Sequence, residues 1–292
     1  MPEHIPVLLT EVVSAFSLQK GDAFLDATMG LGGHSKKLIA HFPKAIFYGI
    51  DQDPEALEIA KERVPQAELL LGNFQDLAVI AKEHALPLFK GILMDIGVSS
   101  LQIDIAGRGF SFQQDGPLDM RMDPENTVTA ATIVNTWLEF KLVNLFSHYG
   151  EERFSKTIAR KIVQHRKKHP FYTTKELADF LVECYPVGLR SKHPHPATRV
   201  FQALRIEVNR ELDALEMGIE ASFSVLAPGG RLAVISFHSL EDRIVKHMFR
   251  QAEAAGFGVV ITKKPVIASK EEQADNPRSR SAKLRIWENK KA

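Results

Sequence analysis

Four short apolar runs punctuate the first third of the chain: Ala23–Asp26, Ile46–Asp51, Glu68–Leu71 and Gly91–Asp95. Their apolar positions are nearly continuous rather than alternating, the pattern of strands covered by helices on both faces. Between them apolar residues recur at helical spacing. Asp53-Pro54 supplies one helix start, a capping acid followed by proline at the first helical position. Val7 to Phe16 predicts a short amphipathic helix or arm ahead of the first strand. Strand, helix and strand in this order predict βαβ units and a parallel sheet.

After Asp95 the alternation stops. Residues 105–200 contain no buried strand pattern, and Gly107 to Pro124 reads as a Gly-, Asp- and Pro-rich loop carrying aromatics. Three apolar stripes follow: Ala131, Val134, Trp137, Leu138, Leu142, Leu145 and Phe146; then Phe154, Ile158 and Ile162; then Leu177, Phe180, Leu181 and Cys184. The alternation then resumes. A helix from Thr198 to Leu226 is expected to stop at Pro228-Gly229-Gly230, and Arg231–Ser236 reads as a strand. Ser239 and Asp242 have capping-box spacing. Two late strands, Val259–Thr262 and Leu284–Trp287, flank a polar segment with Arg278 and Arg280. The expected class is α/β, a doubly wound, mostly parallel sheet in two chain segments, 1–105 and 206–292, with a small helical domain, 106–205, between them.

Composition removes several function classes. The 292 residues carry a formal net charge of +1, so a site for a polyanion must be local. A single cysteine, Cys184, excludes an intrachain disulfide and multi-cysteine zinc sites; burial as a small apolar residue is its expected fate. No run approaches the ~20 apolar residues of a membrane span, and Met1-Pro2-Glu3-His4 lacks the features of a secretory leader. The expectation is a soluble, cytoplasmic protein that does not act at a membrane.

The candidate chemistry lies at the strand ends. Asp26 is followed by the glycine turn Gly30-Leu31-Gly32-Gly33, and Asp51 and Asp95 end two further runs. A glycine turn between strand and helix marks a nucleotide-type cofactor fold, with ligand groups at the carboxyl ends of the strands. Three acids there repel a pyrophosphate and favour a cationic ligand. S-adenosylmethionine, with a sulfonium and an ammonium and no phosphate, fits better than a dinucleotide. Asp51 is placed to accept hydrogen bonds from ribose hydroxyls. The backbone N–H groups from Gly32 to His34 open a helix and suit a carboxylate. His34 itself is expected at the surface, without acid–base chemistry. Phe74 follows the third strand and serves either an adenine ring or the core.

Longer motifs then carry a resemblance. His4-Ile5-Pro6-Val7-Leu8-Leu9, Gly30-Leu31-Gly32-Gly33-His34-Ser35, Asp95-Ile96-Gly97-Val98-Ser99-Ser100 and Arg108-Gly109-Phe110-Ser111-Phe112 are similar to segments of the ribosomal RNA small subunit methyltransferase H (MraW-type) family. So are Asp115 to Met122, Tyr149 to Phe154, His195 to Arg199 and Ser236 to Arg243. The resemblance spans essentially the whole chain. It implies a seven-stranded S-adenosylmethionine-dependent methyltransferase fold and methylation of N4 of a cytidine in 16S rRNA at the decoding centre. It implies cofactor contacts at Gly32, Gly33, His34, Asp51, Phe74, Asp95 and Gln102, with 16S rRNA in the small ribosomal subunit as partner. Association into a homodimer stays open.

The reaction this implies is an in-line displacement by a conjugated, poorly nucleophilic amine, which demands alignment and acceptors for the amine hydrogens. Asp95 is the candidate catalytic residue. Amino-methyltransferases of nucleic acids typically follow this acid with prolines and an aromatic, whereas this chain has Ile96-Gly97-Val98. Asp95 then serves either the amine or mainly the cofactor. A ring to stack on the target base must come from elsewhere, with Phe110 or Phe112 the candidates, or else both belong to the core. Residues 151–210 hold thirteen Lys or Arg against six Asp or Glu. Arg153, Lys156, Arg160 and Lys167 are spaced to share one helix face, a candidate phosphate track for a substrate-recognition insertion. His193 and His195 sit in a proline-rich loop without a third ligand, so no metal is expected. Two other readings compete: an NAD-type oxidoreductase, which leaves the acidic strand ends unexplained, and a non-catalytic RNA-binding factor, which has no need of them.

Overall fold

The computed structural model describes residues 5–97, 105–190 and 195–290. They fall into two compact units, one of residues 1–97 with 212–292 and one of residues 98–211. The junctions therefore lie at 97/98 and 211/212, not at the expected 105/106 and 205/206. The second boundary shifts because the last helix of the middle unit, α9 (Ala197–Asn209), is tied into that unit at its very end. The Asn209 amide donates to the carbonyl of Met120 at 2.8 Å and its Oδ1 accepts from the N–H of Met122 at 2.7 Å.

In the first unit, helix α1 (Leu9–Ala15) precedes β1 (Ala23–Asp26), α2 (Gly33–His41), β2 (Ile46–Asp51), α3 (Pro54–Arg63), β3 (Ala67–Leu71), α4 (Leu77–Glu83) and β4 (Phe89–Asp95). The returning segment adds α10 (Glu211–Val225), β5 (Leu226–Ser236), α11 (Ser239–Ala254), β6 (Gly258–Val260), β7 (Val266–Ile267), α12 (Lys270–Asp275) and β8 (Lys283–Asn289). The sheet runs β3-β2-β1-β4-β5-β8-β6, with the two-residue β7 paired to β8 off this path. The first five strands are parallel, and β8 runs antiparallel to β5 and β6. Alternate residues of each strand feed opposite faces: Leu25, Ile92, Met94 and Val234 enter one core cluster, and Phe24, Phe47, Leu93 and Ile235 the other. Burying each such side chain contributes about 1.5–3 kcal/mol, which is why these strands read as apolar runs.

The helix expected from Thr198 to Leu226 is two, α9 and α10, broken at Arg210, whose φ is +48°. Pro228-Gly229-Gly230 does not follow a helix stop as expected. It lies inside β5, where the pairing with β4 shifts register between Phe89 and Gly91, a bulge that Gly229 fits with φ of +68°. The 105–200 region forms α5 (Ala130–Thr136), α6 (Glu139–His148), α7 (Ser155–His165), α8 (Thr174–Cys184) and α9. The first apolar stripe spans two helices rather than one: Trp137 and Leu138 are extended between α5 and α6, and Leu138 is exposed. Ile133, Phe146, Ile158, Ile162, Leu181 and Leu204 build this unit's own core. Cys184 is buried there, which pushes its thiol up to about 11. Among the described residues no helix is long and apolar enough to cross a membrane.

Candidate active site

Strands β2, β1 and β4 are neighbours, so their terminal acids Asp51, Asp26 and Asp95 stand side by side at one edge of the sheet. Burial is the largest influence on each and raises all three carboxyls above the ordinary range, Asp26 to about 6. A carboxylate gives up hydration on burial, so each charge must be held by local donors or by a ligand. Asp26 has local donors: Oδ2 accepts from the Ser35 hydroxyl at 2.7 Å and Oδ1 from the Thr28 N–H at 3.3 Å. Asp51 holds the glycine turn, with Oδ2 accepting from the Gly30 N–H at 2.7 Å and Oδ1 from the Asp53 N–H at 2.9 Å. Asp53 itself caps α3, as its sequence position suggests. Gly32 ends the turn at φ of +73°, a conformation disfavoured for any residue with a Cβ.

Asp95 is held least. Its N–H donates to Thr28 Oγ1 at 2.7 Å, but its Oδ1 is buried with no hydrogen-bond partner among the described residues. Its Oδ2 lies 3.5 Å from His34 Nδ1. His34, expected at the surface, is buried. Its Nε2 sits 2.9 Å from the Val7 carbonyl, which can only accept, so Nε2 carries a proton. Nδ1 is thereby turned toward the Asp95 carboxyl. Nothing in a single Gly-Gly-His step announces this, because the partner carbonyl comes from α1's approach segment far away in sequence.

Phe74 lies in a short 3-10 turn, half-buried. Its ring rests on Gly218 of α10, where a Cβ would collide with it. Asn73 ties that turn to the end of β2 through Gln52, at 2.8 Å. Gln102 lies outside the described residues.

The start of α11 adds two residues that the sequence reading passed over. The helix is capped by His238 and Glu241, not by Ser239 and Asp242. Glu241 Oε2 accepts from the N–H groups of Phe237 at 2.7 Å and His238 at 3.1 Å. Asp242 instead pairs with Arg285 at 2.6 Å and Lys283 at 3.3 Å, joining α11 to β8. Glu241 is fully buried, and its charge adds to the upward push on Asp95. The available signal was position: an acid and a histidine immediately after a parallel strand.

In the middle unit, Phe110 and Phe112 are half-buried against that unit's core. Phe112 stacks on His195 at 4.8 Å and meets Phe201 edge-on at 4.9 Å. His195 Nδ1 also accepts from the Ala197 N–H at 3.2 Å, and His193 lies outside the described residues. Arg153, Lys156, Arg160 and Lys167 are all exposed. Arg153 lies over the Phe154 ring at 4.6 Å, and Lys167 falls just past the end of α7. Other cations of the same stretch are committed internally: Arg166 donates to the carbonyls of Val134 and Trp137, each at 2.6 Å, and Arg199 to that of Glu151 at 2.7 Å.

A doubly wound sheet with five parallel strands, an antiparallel strand set between β5 and β6, and a glycine turn after β1 is the methyltransferase fold. The chain belongs to the MraW methylase family, which it matches over residues 1–290. Relatives carrying the name Ribosomal RNA small subunit methyltransferase H include that of Deinococcus radiodurans, 50% identical over 286 residues covering 98% of this chain and 89% of the relative. Those of Trichormus variabilis, 48% identical over 291 residues (98% and 92%), and Carboxydothermus hydrogenoformans, 46% identical over 304 residues (98% and 97%), are similar to the same extent.

Proposed function

We propose that the protein is an S-adenosylmethionine-dependent methyltransferase that modifies N4 of a cytidine in small-subunit (16S) rRNA, at the decoding centre of the ribosomal subunit in the cytoplasm. The observation that carries the reading is the row of three strand-end carboxylates, Asp26 buried and Asp51 and Asp95 half-buried, each pushed upward by desolvation, with one Asp95 oxygen left without a partner among the described residues. Such a row costs stability in an empty protein and suits a ligand bearing positive charge. The names of the relatives supply the substrate class, ribosomal RNA.

Bound S-adenosylmethionine supplies an electrophilic methyl group on a sulfonium. The chain's own residues divide the remaining work. The first-turn N–H groups at Gly33 and His34 hold the ligand's carboxylate. Asp51 accepts from ribose hydroxyls through lone pairs its backbone donors leave unused. Phe74, backed by Gly218, covers the adenine, and Gln102 belongs to the same contact set. Asp95 takes the ligand's ammonium or the target amine. Arg153, Lys156, Arg160 and Lys167 track RNA phosphates, and Phe110, at the edge of its cluster, is a better ring for the flipped base than Phe112, which is already stacked. Calorimetry tests the cofactor half: S-adenosylmethionine should bind and NADH should not. Binding of NADH in preference would overturn the reading.

A further inference from the structure

Three buried polar atoms near the ends of β4 and β5 have no hydrogen-bond partner among the described residues: Asp95 Oδ1, Glu241 Oε1 and His238 Nε2. Asp95 and Ile235 are register partners on adjacent strands, and the N–H of Ile96 donates to Ile235 at 2.9 Å. Phe237 packs against Gly97, where a Cβ would lie 3.0 Å from the ring. The segments 95–97 and 235–238 thus run together, and the three atoms belong to one neighbourhood of the first unit.

Their chemistry is defined. Glu241 closes the helix cap with Oε2, and its Oε1 accepts no hydrogen bond from the described residues. His238 Nδ1 accepts from the Glu241 N–H at 3.3 Å, so in the neutral ring the proton sits on Nε2, which is a donor. Nε2 and Oε1 lie 3.0 Å apart yet are not aligned to bond each other. The set is therefore two carboxylate acceptors and one ring donor, with the Glu241 side chain 1% and the His238 side chain 10% exposed. An orphaned buried acceptor is destabilising, the more so when charged. A set of three has a physical rationale if a ligand completes it.

We infer that Glu241 and His238, together with Asp95, receive the amino edge of the target base: the two carboxylates accept its amine hydrogens and His238 Nε2–H donates to the adjacent ring nitrogen. Cytosine offers that pattern, two N4–H donors beside the N3 acceptor; uracil offers the reverse, O4 and N3–H. The inference rests on the reading of the protein as an amino-methyltransferase. Acceptors on both amine hydrogens draw the nitrogen lone pair out of conjugation. That nitrogen forms its bond to the methyl carbon as the C–S bond breaks, with the bonding pair staying on sulfur. The extra proton then leaves the nitrogen for Glu241 Oε1, and from there to solvent. Glu241 and His238 are on this account catalytic and specificity residues in addition to Asp95.

The test uses the full-length protein with small-subunit rRNA and with assembled small subunits. Glu241→Gln keeps an oxygen for the helix cap but turns an N–H₂ toward the amine; His238→Asn keeps a favoured capping residue and removes the ring donor. Turnover at saturating S-adenosylmethionine should fall about 10²-fold in each, with the Kd for S-adenosylmethionine within about twofold of wild type and the melting temperature unchanged. Once mass mapping has located the methylated cytidine, RNA binding is measured with S-adenosylhomocysteine present. Wild type should prefer that RNA over its uridine-substituted form by about tenfold or more, and Glu241→Gln should erase the preference. Turnover within threefold of wild type, an undiminished preference for cytidine, or a parallel loss of cofactor affinity and turnover would each overturn the inference. A wild-type protein that methylates no amino group would instead overturn the proposed function. If Glu241→Gln fails to fold, His238→Asn decides by the same measures.

Discussion

Asp26 combines three properties rarely found together: an acid, fully internal, at a strand end. Its folded-state pKa, about 6, lies above the unfolded value of 3.8. The folded chain therefore binds the proton more tightly. This contribution to stability is fully present below about pH 4 and is lost as pH rises through 6, a change of roughly 1–3 kcal/mol. Asp26→Asn should make the ligand-free protein more stable than wild type at pH 7.5 and flatten its profile between pH 4 and 6. Urea titrations across that range would read it; a variant less stable at pH 7.5 would contradict the assignment. Wild-type affinity for S-adenosylmethionine should rise over the same interval, as the charge that attracts the cation appears. Asp51 behaves differently. Because it holds both Gly30 and Asp53, Asp51→Ala should lose cofactor affinity and about 1–3 kcal/mol of stability together. Undiminished stability in denaturant would mean the turn stands without it. For Asp95→Ala, turnover restored by saturating cofactor would assign it to the cofactor alone; a persistent defect assigns it to the amine.

At the scale of elements, the first two strands and the start of α3 were legible, and most later ends were not. β1 and β2 begin and end where their apolar runs do, because a strand buried on both faces has to be written as a run. The acids closing β1, β2 and β4 could be read from the same pattern. Breaks that depend on a single backbone dihedral left no trace: Arg210 in the left-handed region, and the extended pair Trp137-Leu138. The cap of α11 was misread for a related reason. Ser239 and Asp242 have the spacing, but Asp242 is drawn off by Arg285 and Lys283 from a strand over forty residues on. The burial of His34 and the orphaned atoms of His238 and Glu241 likewise exist only once distant segments meet. On α7, the alternation of buried Ile158 and Ile162 with exposed Lys156 and Arg160 was fully legible. Replacing Arg153, Lys156, Arg160 and Lys167 by Gln should weaken RNA binding most at low salt and reduce the salt slope by about 0.7–0.9 per lost contact. Cofactor affinity should not change. An unaltered slope would move the phosphate track elsewhere.

For the whole molecule, a chain nearly neutral in sum separates its charges: acids gather where β1, β2 and β4 end, and the exposed cations Arg153, Lys156, Arg160 and Lys167 gather on and beside α7. In the proposed function the acids meet a cationic methyl donor and the cations a polyanion, a separation that total composition conceals. We propose that these features together methylate an amino group of ribosomal RNA. The direct measurement is incubation of the purified protein with S-adenosylmethionine and small ribosomal subunits, followed by nuclease digestion and mass spectrometry of the rRNA. N4-methylcytidine is expected at a single position and should be absent when S-adenosylmethionine is omitted. Unmodified rRNA, or a methyl group found only on carbon or on a ribose hydroxyl, would contradict it.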